Sequence, residues 1–179
     1  MSVDSDDERS IAGIRSALHD AASRLAAAGA RDEALAVFIP ARRRLAVFTK
    51  RATMVPKGRV WRLGVFLLGH DETLYATGAT TRAVAPGHPG YQSLSAENRR
   101  EQRAAAFRGP FARGETVNFD AAPIELEADG IRSSSGPLVL RGRAAVVRWS
   151  PTAGDDTAMP FDAYLSERVD LLINPPEGA

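Results

Sequence analysis

The chain has 179 residues, 44% of them hydrophobic and 25% charged, with 23 Lys and Arg against 22 Asp and Glu, and no cysteine. That balance excludes collagen-like, coiled-coil and wholly disordered chains, and the missing thiols exclude disulfides, thiolate zinc sites and cysteine nucleophiles. No apolar stretch approaches the roughly 20 residues of a membrane helix, and Asp4, Asp6, Asp7 and Glu8 stand where a secretion signal would be basic; a cytoplasmic protein with no membrane partner is expected.

Residues 1–5 read as a disordered acidic tail, followed by a single α+β domain over 6–179. Asp6 or Asp7 can cap a first helix whose Ile11, Ile14, Leu18, Ala21, Ala22 and Leu25 recur at helical spacing, and Gly29 stops it. His19 lies beside this stripe and reads as a structural histidine. Leu-Ala-Val-Phe occurs at 35–38 and again at 45–48 with Pro40 between, which suits a hairpin, a short helix over 32–39 being the rival. Residues 60–68 read as one central strand, its odd face Trp61, Leu63, Val65 and Leu67 wholly apolar and Arg62 on the even face. Gly69-His70-Asp71-Glu72 turns the chain into a partner strand over 74–81. Two prolines and two glycines make 85–90 a loop, and Ser95 caps a middle helix running to Arg108 and ended by Gly109-Pro110.

Residues 116–119 and 124–126 are short strand candidates, the second with Ile124 and Leu126 inward and Glu125 and Glu127 outward. A hairpin about Gly142 joins 138–140 to 144–149, and Pro160 opens a last helix with Phe161, Tyr164, Leu165, Val169 and Leu172 on one side. Strands in runs among three unevenly placed helices predict an α+β fold, a mostly antiparallel sheet of about five to seven strands with N-terminal, middle and C-terminal helices.

The order of the charges says more than their sum. Blocks 1–33, 34–113, 114–131, 132–148 and 149–179 carry −3, +10, −5, +4 and −5, and residues 34–70 hold eight bases and no acid. Such a block pairs with the acidic segments or faces an anionic partner. The near-neutral total favours internal pairing and makes nucleic acid the less expected partner, and no zinc finger or RNA-binding aromatic signature is present.

Gly-x-Gly-x-x-Gly, the phosphate-binding loop, His-Glu-x-x-His, Gly-x-Ser-x-Gly and Ser-x-x-Lys are all missing, so no catalytic residue, metal ligand set or cofactor is assigned. Ser133-Ser134-Ser135-Gly136 reads as a turn, as do His70-Asp71-Glu72 and His88 in their loops. The sharpest clue is the middle helix, where helical spacing sets Arg100, Arg103 and Phe107 on one face. With Phe107 toward the core, each guanidinium must meet a carboxylate, lie over the ring with its head in water, or bind an anion. Glu115, Asp120, Glu125, Glu127 and Asp129 are the expected internal counter-ions.

Arg59-Val60-Trp61-Arg62-Leu63-Gly64-Val65, Leu74-Tyr75-Ala76-Thr77-Gly78, Glu97-Asn98-Arg99-Arg100-Glu101, Arg108-Gly109-Pro110-Phe111, Gly114-Glu115-Thr116-Val117-Asn118 and Val147-Arg148-Trp149-Ser150-Pro151 resemble a group of short uncharacterised bacterial proteins. The resemblance spans roughly residues 55–173, and some of that group carry the label glutaminase, which implies a small hydrolase or amidase. The Ser-x-x-Lys and cysteine nucleophiles of known glutaminases have no counterpart here, so the resemblance transfers no catalytic residue. The leading expectation is a non-catalytic binding or assembly module. Its region of Trp61, Arg62, Arg100, Arg103 and Arg108 would hold an anionic small molecule, and a second copy of the chain is left open as a partner. A hydrolase is the alternative and nucleic-acid binding the third reading.

Overall fold

The computed structural model describes residues 3–44, 48–85, 94–148 and 158–176. They form an α+β fold with four helices and a mostly antiparallel seven-stranded sheet beside a three-stranded one. Two compact units make up the chain, each with its own apolar core, where one domain was expected. Unit 1 takes Met1–Arg31, Trp61–Ala76 and Ala122–Ala179, and unit 2 takes Asp32–Val60 and Thr77–Ala121.

Unit 1 opens with helix α1 (Val3–Ala27), which begins ahead of the capping position expected at Asp6. All six residues of the expected stripe are buried, from Leu25 at 0% to Ala22 at 7% exposure. Gly29 adopts φ +59°, the left-handed region open to glycine, which lets the Ala30 amide reach back to the Leu25 carbonyl at 2.9 Å and the Gly29 amide to Ala26 at 3.1 Å. This paired closure satisfies carbonyls that would otherwise be orphaned at the helix end. Helix α4 (Phe161–Ile173) starts after Pro160 as expected and buries Phe161, Tyr164, Leu165 and Val169, while its Asp170 pairs with Arg24 of α1.

Unit 2 is organised by strand β1 (Glu33–Ile39), which resolves the strand-or-helix ambiguity over 32–39 in favour of strand. Its partner is not the second Leu-Ala-Val-Phe copy. β1 pairs antiparallel with β4 (Thr53–Leu63) over its whole length, whereas β2 (Arg42–Arg44) and β3 (Phe48–Lys50) pair only with each other; residues 45–47 lie outside the described set. A three-residue ladder is the most that β2 and β3 offer, so the longer one wins. The β1–β4 register slips where Leu35 faces Gly58 and Ala36 faces Pro56. The extra residue, Lys57, forms a bulge beside a proline that has no amide to donate to a ladder.

The single strand expected over 60–68 is a hairpin. β4 ends at Leu63, Gly64 turns at φ +66°, and β5 (Phe66–Gly69) returns with all four residues buried. The buried end of β4 and the buried β5, joined by a two-residue turn, give one largely apolar run, which periodicity does not divide. β5 pairs with β6 (Leu74–Ala76), as expected of the 69–72 turn. The strand expected over 74–81 breaks, however, and β7 (Ala79–Arg82) resumes after Gly78, where any Cβ would collide with the backbone of Asp120.

Strand β8 (Thr116–Phe119) falls where the sequence predicts it, helix α2 (Leu94–Arg108) begins one residue before the cap expected at Ser95, and residues 86–90 of the expected loop lie outside the described set. β8 pairs with β7 antiparallel and with β1 in parallel. Around 124–126 the expected in-out alternation is real, since Ile124 and Leu126 pack on the core of unit 1 while Glu125 and Glu127 are exposed. The ladder itself covers only β9 (Ala122–Pro123), against β6. It gives way to helix α3 (Ala128–Arg132), the one helix not expected. Strands β10 (Leu138–Arg141) and β11 (Ala144–Val147) form the hairpin about Gly142, and β12 (Met159–Pro160) completes their sheet. Across the seven-stranded sheet the order is β7-β8-β1-β4-β5-β6-β9.

Candidate functional site

Trp61 and Arg62 belong to unit 1, and Arg100, Arg103 and Arg108 to unit 2. Trp61 is 3% exposed. Its indole Nε1 donates to the Ala30 carbonyl at 3.2 Å, and its ring stacks on His70 with centroids 4.1 Å apart and planes 10° from parallel. It therefore ties the end of α1 and the 69–72 turn into the core, a structural duty that leaves its ring no ligand face. Arg62 beside it is half-buried.

On α2 the residues that enter the core are Ala105 and Ala106, both 0% exposed, and not Phe107, which is half-buried. Two adjacent alanines bring the helix backbone close to its neighbours, and Phe107, one step of 100° further round, stays at the margin. Arg113 sits over that ring, its guanidinium carbon 3.5 Å from the centroid, and donates to the Phe107 carbonyl. The cation on the ring comes from the loop after the helix and not from Arg100 or Arg103; helical spacing alone cannot see such a residue.

The three helix arginines have different surroundings. Arg108 donates from Nε at 3.0 Å, and from Nη2, to the carbonyl of Ala52, which anchors the last turn of α2 to the strand region after β3. Arg103 is exposed. Arg100 is half-buried, with Nε out of solvent and without a hydrogen-bond partner among the described residues. Neither Arg100 nor Arg103 forms an ion pair among the described residues.

Of the acids expected to neutralise them, Glu115 is committed elsewhere. Glu115 holds Arg59 and accepts the Ala112 amide at 2.8 Å, while Asp32 takes the other side of the same guanidinium, from Nε at 3.1 Å and Nη2 at 2.6 Å. These two carboxylates, Asp32 foremost, hold the Arg59 pKa above its ordinary value. Asp120 sits at the close approach to Gly78, and Glu125, Glu127 and Asp129 belong to unit 1. The division of the chain also divides its charge. Unit 2 holds 13 bases and 6 acids, net +7, while unit 1 holds 10 bases and 16 acids, net −6. The net +1 of the whole is a cancellation between the two.

Unit 1 offers two open clefts along α1. One of about 400 Å³ is lined by acids, among them Asp7, Glu8, Glu127 and Asp129; Asp7 is already paired with Arg132. The other, about 360 Å³, holds Asp6, Arg9 and Arg143 beside Phe161. Burial would raise the Asp6 pKa, but the hydrogen bonds and charges of Arg143 and Arg9 outweigh it and hold the carboxyl below its ordinary value. The ions of the second cleft are matched to one another, whereas in the first Asp7 alone of the four acids has an ion pair among the described residues. No group of three His, Cys, Asp or Glu among the described residues could hold a metal ion.

The serine run is used locally. The Ser133 hydroxyl donates to Asp129 at 2.9 Å at the end of α3, and that of Ser134 accepts the Gly136 amide at 2.9 Å. His19 pairs with Glu72 on the surface, and His88 lies outside the described residues. Among the described residues no helix is long and apolar enough to cross a membrane. Comparison of the chain with family models, with curated proteins and with solved structures found no match.

Proposed function

We propose that the protein is a non-catalytic binding module whose basic unit holds an anionic small molecule on α2, with Arg100 and Arg103 directing the anion and Arg108 holding the helix end in place. The observation that carries the reading is the state of Arg100: a guanidinium nitrogen withdrawn from solvent with no acceptor among the described residues. Sequestering a polar group without a partner costs free energy that an acceptor from a ligand recovers. Arg103 lies one helical turn on and is open to solvent, so the pair can meet an anion from one side, and a guanidinium fork suits carboxylate or phosphate. The surrounding charge of +7 raises the local concentration of such a ligand. A cytoplasmic location is part of the same proposal.

Thermal melting of the full chain in rising inorganic phosphate and in citrate tests it. A ligand that prefers the native state adds about 2.7 kcal/mol at a hundredfold excess over its Kd. The melting point is expected to rise with one of these anions and the rise to vanish in Arg100→Gln and Arg103→Gln. Equal shifts in the variants, or none in the wild type, overturn the reading.

A further inference from the structure

A second basic feature of unit 2 stands apart from α2 and points to a different partner. β2 and β3 form an isolated two-stranded ribbon in which Arg42 faces Lys50, Arg43 faces Thr49 and Arg44 faces Phe48, and Arg51 follows at once. Five cations therefore fall within ten residues of chain. Like charges directly opposite each other weaken an antiparallel pair, and the nearest acids in the sequence, Asp32 and Glu33, each hold another partner. Asp32 is bound to Arg59, and Glu33 accepts from Asn118 at 2.8 Å. Arg42, Lys50 and Arg51 are all exposed, and none has an ion pair among the described residues.

We propose that the β2–β3 ribbon with Arg51 docks duplex DNA through the phosphate backbone, without reading the base sequence. Charge complementarity names a polyanion, and the shape of the element narrows it. A two-stranded ribbon is one of the two elements that the major groove of B-form DNA admits, that groove being about 12 Å wide. Two paired strands lie about 4.8 Å apart, so the backbone of the ribbon fits within that width. Double-stranded RNA, with its deep and narrow major groove, does not admit such a ribbon. Single strands are bound by aromatic platforms on which bases stack, and the ribbon has Phe48 as its one aromatic residue. The near-neutral total charge argues against nucleic acid only while the chain is taken as one body, because the unit that carries the ribbon is strongly basic. The proposal does not depend on the α2 site.

The test is fluorescence anisotropy of the full chain with a labelled mixed-sequence DNA duplex, from low to physiological ionic strength. Each phosphate neutralised contributes about 0.9 to the negative slope of log affinity against log salt. The triple variant Arg42→Gln, Lys50→Gln, Arg51→Gln is expected to flatten that slope by about three and to weaken binding alike for unrelated sequences. A charge-keeping variant, Arg42→Lys with Arg51→Lys, is expected to retain the wild-type slope, and equal melting points establish that both are folded. Arg100→Gln with Arg103→Gln separates the two readings: it abolishes the small-anion response and leaves the DNA slope in place. No binding at low salt overturns the proposal, as does a slope that the ribbon variant leaves unchanged. Two other results overturn it: preference for single strands or duplex RNA, and binding to vesicles of anionic lipid that DNA does not displace.

Discussion

The hydroxyl of Tyr164 lies directly against Gly64, accepting the Val65 amide at 2.9 Å and filling the space where a Cβ at Gly64 would stand. One residue of α4 thus clamps the tip of the β4–β5 hairpin, and the glycine is required twice, for its φ of +66° and for the room it leaves. Gly64→Ala is expected to destabilise unit 1 by roughly 2–4 kcal/mol, from backbone strain and displacement of the tyrosine. Tyr164→Phe keeps the packing and leaves the Val65 amide without its acceptor, a loss of about 1–2 kcal/mol. Urea unfolding of the two variants measures both, and Gly64→Ala in a Tyr164→Phe background is expected to be less than additive.

Among the described residues Asn118 is the buried polar residue of unit 2, 1% exposed, on β8 between β1 and β7. Its Nδ2 donates to Glu33 at 2.8 Å and to the Ala34 carbonyl at 3.2 Å, and its Oδ1 accepts from Thr80 at 3.3 Å. One side chain therefore joins three strands. Asn118→Leu is expected to cost about 2–3 kcal/mol because the Ala34 and Glu33 acceptors lose their donor. Asn118→Asp, which removes the donor and sets a second carboxylate against Glu33, is expected to lower the denaturant midpoint at neutral pH by more than Asn118→Leu does.

His19 and Glu72 meet at 2.7 Å, and the hydrogen bond and charge of Glu72 raise the His19 pKa above 6.5. A group whose pKa is higher in the folded state contributes stability that is complete below the unfolded value of 6.5 and disappears as pH rises through the folded value. The difference in melting point between wild type and His19→Gln is therefore expected to be largest near pH 5.5 and to close above neutrality. Proton NMR titration is expected to place the His19 midpoint above 6.5 and to return it toward that value in Glu72→Gln.

Arg59 bridges Asp32 and Glu115, which joins the start of β1 to the turn before β8 through the middle of β4. Half the side chain is in water, so the pair is worth about 1 kcal/mol and is screened by salt. Arg59→Met is expected to lower the urea midpoint at low ionic strength and to converge on wild type in high salt. Arg59→Lys, with one point charge for two carboxylates, is expected to recover about half of the loss.

Local chemistry made much of this fold legible in the amino-acid order. The apolar stripe of α1, its glycine stop, Pro160 ahead of α4 and the Gly142 hairpin depend on interactions within a few residues, so spacing and capping residues suffice to place them. Partner choice is not local. Leu-Ala-Val-Phe repeats at 35–38 and 45–48, yet β1 pairs with β4 because the longer ladder lies there. Gly64 reads as a residue in the middle of a strand until its φ and the Tyr164 hydroxyl are known. Phe107 is the largest apolar residue of its helix, and the core instead takes Ala105 and Ala106, whose small size lets backbones approach. The arginine cluster was visible as a set of charges. Which carboxylates were already engaged, and that Trp61 was buried, depended on long-range packing. The order of the charges already shows a basic stretch over 34–113, and only folding sets residues 61–76 apart from it, because unit 2 is assembled from two separated segments. Composition fixes how many charges a chain carries, whereas only folding decides which of them stand together, since electrostatic interaction follows distance through space and not position along the chain.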